Sequence, residues 1–290
     1  STLKPFAALA FIETPAASWV RPDWIALASG SPGGTPFPPK RLKSWMMALG
    51  CQEQDLLCGP RAPLDGGAAS ALIRNRKRPT RLHNDRSGEH LGFLTLASAI
   101  NVPLADYILP GHPVQERVRA CIAEFVDMPV SALKPLRDDC GAPTFALPLT
   151  KLADASARLI GAASGKMPER PAARRIVDAC RGYCIAYDGD GRLDAMAMAA
   201  LRHHDVALVK SAAEGILIGA WAPRRSSERF GLALKVEDGA MRARDAAAAA
   251  LLLKMGAAAP DLWLLRGLAH HRILDSQGVE TGRLTVDFGE

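Results

Sequence analysis

The order of the predicted secondary-structure elements is the feature that most constrains the fold. Helices are predicted over residues 42–49, 63–74 and 172–179, and apolar spacing of three and four residues predicts others over 91–100, 113–126 and 147–163. Short apolar segments at 206–210, 216–222 and 231–237 are then separated by turns, as in antiparallel strands. A helix is predicted over 245–255 and a last strand over 282–288. Helices followed by late strands, without regular alternation, indicate an α+β fold, and we expect a single domain over 1–290.

The composition excludes several classes of protein. The chain has 290 residues, with 36 basic against 30 acidic and a net charge of +6. These charges are spread along the chain rather than gathered in a stripe, so we expect no nucleic-acid partner. Six cysteines are too few for a disulfide scaffold. The longest apolar run, 246–253, is far shorter than the roughly 20 residues of a membrane span. Because residues 5–12 lack the flanks of an export signal, we expect a cytoplasmic protein with reduced thiols.

The segment Ser1-Thr2-Leu3-Lys4 places a serine three residues before a lysine. On one helical turn the two side chains lie on the same face. A lysine that is desolvated or close to other cations has a lowered pKa and can accept the serine proton, which makes the serine a nucleophile. The same pattern also occurs by chance at an exposed start of a helix, so the spacing alone leaves both interpretations open.

Three later segments carry further candidate residues. Residues 83–90 form a polar cluster at the start of a predicted helix. The free backbone N–H groups there can bind an anion or a carboxylate, or the cluster can be a loop that caps the helix. Asp138, Asp139 and Cys140 precede a Gly-Ala-Pro turn and could bind a substrate amine, or form a surface turn. Lys210 ends an apolar strand, where a lysine points into a cleft or into solvent.

Together these segments resemble the L-asparaginase II family of the rhizobial type, whose fold is similar to serine β-lactamases and penicillin-binding proteins. The resemblance implies an antiparallel sheet with packed helices and a helical subdomain. The motifs occur in the family's order over nearly the whole chain. They are Ser1-Thr2-Leu3-Lys4-Pro5-Phe6, Ser31-Pro32-Gly33-Gly34, Leu57-Cys58-Gly59-Pro60, His83-Asn84-x-x-Ser87-Gly88-x-His90, His112-Pro113-Val114-Gln115, Cys140-Gly141-Ala142-Pro143-Thr144 and Lys210-x-x-Ala213-Glu214-Gly215.

The resemblance implies a mechanism for these positions. Two Ser-Lys pairs, Ser1 with Lys4 and Ser31 with Lys210, surround the amide carbon of an asparagine-like substrate. Ser1 is then the nucleophile and Lys4 its base, while Ser31 and Lys210 relay protons to the leaving ammonia; the two serines can also exchange roles.

The resemblance also implies which residues bind the substrate. Asp138 holds the α-ammonium group with Cys140 beside it, and His90 lies near the polar end of the substrate. The predicted partner is thus a small-molecule amide, and we expect a homodimer.

The sequence departs from the family at its zinc site. The family motif His-Asn-Asn-Cys-Ser-Gly-Lys-His supplies a cysteine and a lysine that bind zinc with a later cysteine. Here these positions are Arg86, Glu89 and Cys140. A guanidinium cannot bind zinc, so we predict no metal and no other cofactor, and expect an Arg86–Glu89 ion pair to fix the loop instead. Asp139 and the 31–35 loop also differ from the family pattern near the substrate. The resemblance therefore does not determine which amide is the substrate.

Family members carry a β segment and an arginine before the Ser-x-x-Lys motif, and this sequence begins at the serine. We expect either a shortened or separate N-terminal segment, or cleavage that gives Ser1 a free α-amine able to act as a base. Two alternatives to an asparaginase remain. One is a non-catalytic descendant that binds an amino acid or a partner, and the other is a hydrolase of the same mechanism acting on another amide, ester or lactam.

Overall fold

The structure, a computed structural model, describes residues 2–33, 37–189, 191–258 and 263–289. This part of the chain contains twelve α-helices, four 3-10 helices of three residues each and seven short strands. The helices are α1 (Lys4–Ile12), α2 (Pro22–Ser29), α3 (Phe37–Ala48), α4 (Gly66–Arg74), α5 (Ser87–Ala99), α6 (Pro113–Val126), α7 (Leu149–Ser164), α8 (Pro171–Gly182), α9 (Cys184–Tyr187), α10 (Leu193–Ala200), α11 (Met241–Lys254) and α12 (Trp263–Ala269). The strands are β1 (Pro135–Arg137), β2 (Pro143–Phe145), β3 (Val206–Ser211), β4 (Ile216–Ala222), β5 (Phe230–Lys235), β6 (Arg272–Leu274) and β7 (Glu280–Arg283). The chain therefore has a mixed α+β fold, as predicted.

Helix α1 lies at the centre of the molecule. All of its residues are buried, and it packs against α2, α5 and α6. A helix that is apolar on every side has no polar face, so it shows no helical period in the sequence. This is why the sequence analysis predicted no helix over residues 4–12 or over 22–29, where α2 is also buried on nearly all sides.

The main sheet contains β3, β4 and β5 in that order, with both neighbouring pairs antiparallel. Helix α7 packs across β4 and β5. The close approach needs Gly231, because a Cβ atom there would lie 2.1 Å from the carbonyl oxygen of Ala153. All six residues of β3 are buried, which places Lys210 inside the molecule rather than in solvent.

The predicted last strand over 282–288 is wrong for most of its length. Strand β7 ends at Arg283 and pairs with β6 in a separate exposed hairpin, while residues 284–289 form no strand. The alternating pattern of this segment faces no apolar core: among the described strands β6 and β7 pair with each other, and all of their residues are exposed or half-buried. Within the described residues, each helix is too short or too polar to cross a bilayer.

Gly88 allows α5 to approach α2. A Cβ atom at this position would lie 2.2 Å from the carbonyl oxygen of Leu27. We expect Gly88→Ala to lower the free energy of unfolding by about 1–3 kcal/mol, or more if the two helices cannot separate. The matched control is Gly182→Ala at the end of α8, where nothing lies within 4 Å of the added atom. Urea unfolding measures both variants, and equal stability would contradict the proposed close contact.

Candidate active site

Lys4 is the first residue of α1 and is almost completely buried. Its Nζ donates hydrogen bonds to the carbonyl oxygen of Gly30 at 2.7 Å, to Oγ of Ser31 at 3.2 Å and to the carbonyl oxygen of Asp85 at 3.1 Å. The first two acceptors follow the C-terminal end of α2, and the third lies in the loop before α5. The packing of α1, α2 and α5 therefore positions the amine. The amine therefore has a fixed direction toward the Ser31 hydroxyl.

The surroundings of Lys4 favour its neutral form. Burial lowers its pKa, the positive charge of Arg86 lowers it further, and the opposing charges of Glu89 and Asp85 only partly compensate. The resulting pKa is about 8, compared with 10.5 for an ordinary lysine. Glu89 Oε2 lies 3.8 Å from Nζ. A buried amine with such a pKa can accept a proton near neutral pH, as a general base must.

Ser31 follows the end of α2 in a buried loop. Its backbone N–H donates to the carbonyl oxygen of Tyr187 at 2.7 Å, and its own carbonyl oxygen accepts from Nη1 of Arg192 at 3.0 Å. Both backbone polar groups of Ser31 are thus bound, and its side chain turns to Lys4. Ser1, the other predicted catalytic serine, lies outside the described residues.

Lys210 makes different contacts from those that the motifs indicated. Its Nζ donates to Oδ2 of Asp194 at 2.7 Å and to the carbonyl oxygen of Ser211 at 2.8 Å. The structure therefore pairs Ser31 with Lys4, and Lys210 with Asp194. Lys210 remains part of the same electrostatic unit, because its charge contributes to the lowered pKa of Lys4.

Asp194 is a residue that the sequence analysis missed. It is fully buried, and besides Lys210 it accepts the backbone N–H of Ser211 at 2.8 Å. A signal existed: Asp194 is the one charged residue of α10, whose sequence is otherwise apolar. Because aspartate is almost never fully buried without a partner, a single acid in an apolar helix predicts a buried cation nearby.

A cluster of charged residues lies on the other side of Lys4. Nη2 of Arg86 is 3.2 Å from carboxylate oxygens of both Asp138 and Asp139. Burial opposes the charge of Arg86, but the carboxylates of Glu89, Asp138, Asp85 and Asp139 outweigh it and hold the guanidinium pKa above its ordinary value. The charge of Glu89 thus acts on Arg86 within a larger cluster of carboxylates, and an Arg86–Glu89 ion pair that fixes the loop stays a prediction.

A small cavity joins Lys4 to this cluster. It has a volume of about 20 Å³, and Lys4, Glu89, Asp138 and Thr144 supply its polar lining. That is enough space for a water molecule or a small group of a substrate. The predicted catalytic amine and the predicted ammonium-binding carboxylate consequently face one cavity.

His90 and Cys140, two predicted substrate-binding residues, are buried. Nδ1 of His90 is 2.6 Å from the hydroxyl of Tyr107, and burial together with the charges of Lys4 and Arg86 lowers the His90 pKa to about 3. Burial and the negative charge of Glu89 raise the pKa of the Cys140 thiol to about 12. Both groups are therefore neutral at physiological pH, and His90 can position its neighbours but carries no charge to a substrate.

A comparison with protein families decides the assignment. The model of the L-asparaginase II family matches residues 1–286 of the 290-residue chain. The chain belongs to the L-asparaginase II family. A comparison with curated proteins found no match. At the level of the family, the match supports an asparaginase-like amidohydrolase and a small-molecule amide substrate.

The zinc site that the family resemblance implies does not fit the residues of this chain. Asp138, Asp139 and Cys140 do place three potential ligand atoms within 4.8 Å of one another. However, the guanidinium of Arg86 contacts both carboxylates, so a second cation there would meet a buried positive charge.

Proposed function

We propose that this chain is an asparaginase-like amidohydrolase that acts through a serine acyl-enzyme. The observation that carries the proposal is the buried amine of Lys4, which lies 3.2 Å from the Ser31 hydroxyl and has a pKa of about 8. Amide hydrolysis needs a nucleophile, a base and an acid, and the segment that carries this amine also carries the serine of the Ser-x-x-Lys motif. The family match supports the same reaction class.

In the acylation step, neutral Lys4 accepts the proton of the Ser1 hydroxyl as its oxygen attacks the amide carbon. The tetrahedral intermediate then collapses, the C–N bond breaks, and the leaving nitrogen takes a proton from the Lys4 ammonium through the Ser31 hydroxyl. The contact between Lys4 Nζ and Ser31 Oγ supports this relay. Lys210 contributes a positive charge near the relay but donates its own hydrogen bonds to Asp194 and Ser211.

In the deacylation step, Lys4 is neutral again and accepts a proton from water as the water oxygen attacks the acyl carbon. The ester bond to the serine breaks, and the serine oxygen recovers a proton from Lys4. The small cavity beside Lys4 is large enough for one water molecule, which supports this step. Ammonia and the free acid are the products.

Arg86 bears on the choice of substrate. Asp138, the proposed partner of the α-ammonium group, is already 3.2 Å from the guanidinium of Arg86 and is about a quarter exposed, at 27%. Neutralising this carboxylate weakens its attraction for an ammonium group. This observation favours, as a second candidate, a hydrolase of the same mechanism whose amide or ester substrate lacks that group.

The reaction in this proposal needs no metal. We expect less than stoichiometric zinc in the purified protein and no change in melting temperature with a chelator, because Arg86 already neutralises the carboxylates near Cys140. The double variant Arg86→Cys/Glu89→Lys restores the family's residues and should take up zinc. Metal analysis of both proteins is the measurement, and one tightly bound zinc per wild-type chain would overturn the prediction.

Ammonia release tests the proposed function. The purified protein is assayed with L-asparagine, L-glutamine and simple amides without an α-ammonium group, with Lys4→Met as the inactive control. Turnover of L-asparagine supports the asparaginase, whereas turnover of the simple amides alone supports the second candidate. A folded protein that releases no ammonia from any of them contradicts the asparaginase and leaves the non-catalytic descendant or a hydrolase of esters or lactams. The homodimer and the cytoplasmic location stay predictions from the sequence.

A further inference from the structure

Residues 187–194 form one short segment, of which the structure describes 187–189 and 191–194. These residues contact both Ser31 and Lys210. At its start, the carbonyl oxygen of Tyr187 accepts the backbone N–H of Ser31 at 2.7 Å. Five residues later, Nη1 of Arg192 donates to the carbonyl oxygen of Ser31 at 3.0 Å. The segment therefore holds the main chain on both sides of the Ser31 side chain.

The same segment also holds Lys210. It ends at Asp194, whose carboxylate accepts from Lys210 Nζ at 2.7 Å and from the backbone N–H of Ser211 at 2.8 Å. The Tyr187 hydroxyl donates to the carbonyl oxygen of Val209 at 2.7 Å, and Lys210 Nζ lies 5.4 Å from the centre of the Tyr187 ring. Each end of the segment thus contacts the strand β3 that carries Lys210.

Internal contacts make this segment a unit. The backbone N–H of Asp194 donates to Oδ2 of Asp188 at 3.0 Å, and Nη1 of Arg192 donates to the carbonyl oxygen of Asp188 at 3.1 Å. Nη2 of Arg192 is 3.5 Å from Oδ1 of Asp188. Asp188 therefore joins the group that contacts Ser31 to the group that contacts Lys210.

The fit against Ser31 is tight. A Cβ atom on Gly30 would lie 1.9 Å from the carbonyl oxygen of Tyr187, so only glycine allows this approach. The loop carrying Ser31 is therefore packed directly against the segment, so a displacement of the segment changes the position of Ser31.

We propose that Arg192 and Asp194 are positioning residues: Arg192 fixes the main chain at Ser31, and Asp194 fixes Lys210. This inference rests on the proposed function, since it assigns the residues that support the same site. Neither residue reacts with the substrate. Their role is to keep the Ser31 hydroxyl directed at Lys4, and Lys210 at a constant distance from both.

Arg192 gives the sharper test, because its side chain is 37% exposed and its removal leaves no empty space in the core. Arg192→Met keeps the aliphatic part of the side chain but loses both hydrogen bonds. We expect kcat for amide hydrolysis to fall by about 10- to 100-fold with KM changed less than twofold, because misplacement of a catalytic group by about 1 Å has effects of this size. Arg192→Lys, which keeps a donor, should recover part of the loss.

The matched control is Arg174→Met. Arg174 also pairs with an aspartate four residues away, but it lies in the first turn of α8 and is exposed. This variant should behave as the wild type does. Arg192→Met with a wild-type kcat, or with a change in KM alone, would overturn the inference. So would a loss that Arg192→Lys does not reduce.

A second readout separates this inference from the proposed function. Amide hydrogen exchange of the peptide that contains residues 30–33 should be faster in Arg192→Met than in wild type and unchanged in Arg174→Met. If the wild-type protein hydrolyses no amide but the exchange accelerates, the proposed function fails while the positioning contact stands. Unchanged exchange in Arg192→Met would refute the positioning role whatever the activity.

Discussion

Replacement of Lys4 by methionine should lower the rate of amide hydrolysis by about 10²- to 10⁴-fold, the usual contribution of a general base. Methionine fills a similar volume among the buried neighbours of Lys4 but cannot accept a proton. The wild-type kcat/KM should rise with pH around a midpoint of about 8, because the base is neutral only above its pKa. The pH profile of ammonia release measures the midpoint.

The control for this variant is Lys43→Met, which changes an exposed lysine on α3. It should leave both the rate and the midpoint unchanged. A Lys4→Met protein that is folded and retains more than a tenth of the wild-type rate would show that another group accepts the proton. A wild-type rate that does not change between pH 6 and pH 9.5 would argue against Lys4 as well.

Removal of one member of the Lys210–Asp194 pair should lower the free energy of unfolding by about 3–5 kcal/mol, because the remaining charge is buried without its partner. Both side chains have 0% exposure, and their charged atoms are 2.7 Å apart. The double variant Lys210→Met/Asp194→Leu should regain most of this stability, since no charge is then left alone in the core. It should nevertheless lose activity, because the positive charge beside the relay is gone.

Urea unfolding of the two single variants and the double variant gives the coupling free energy directly. The comparison is the exposed pair Arg174–Asp178, whose disruption by Arg174→Met should cost no more than about 1 kcal/mol. If Lys210→Met and Asp194→Leu were each as stable as the wild type, the two groups would not form a buried ion pair in solution.

Helix α6 was predicted with its observed bounds because its apolar spacing follows the helical period. Strand β4 was also predicted with its observed bounds, but from another signal: it is a short, wholly apolar run between turns, which is typical of a buried strand. Helices α1 and α2 were missed because they are buried on nearly all sides, and β7 was placed wrongly because its hairpin packs on no core. A periodic apolar pattern arises only where an element has one face in the core and another in solvent. An element that is buried on all sides therefore shows no such pattern.

The motifs indicated the residues of the candidate site but not all of their contacts. Lys4 and Ser31 were both named, and the structure brings them together; Lys210 was named, but its partner Asp194 was not. Which lysine faces which serine depends on how α2, β3 and the 187–194 segment pack, and no short motif contains that information. The role of Arg192 could not be predicted from the sequence either, because its contact to Ser31 joins distant parts of the chain.

The most direct test of the account is to trap the acyl-enzyme. The protein is mixed with an amide substrate, quenched in acid within milliseconds to seconds, and its mass and modified peptide are determined. The account predicts a substrate-derived acyl group on Ser1 that accumulates in wild type, and that neither Ser1→Ala nor Lys4→Met forms. Ammonia release with no acyl group at any time, or with an acyl group on any residue other than Ser1, would contradict it.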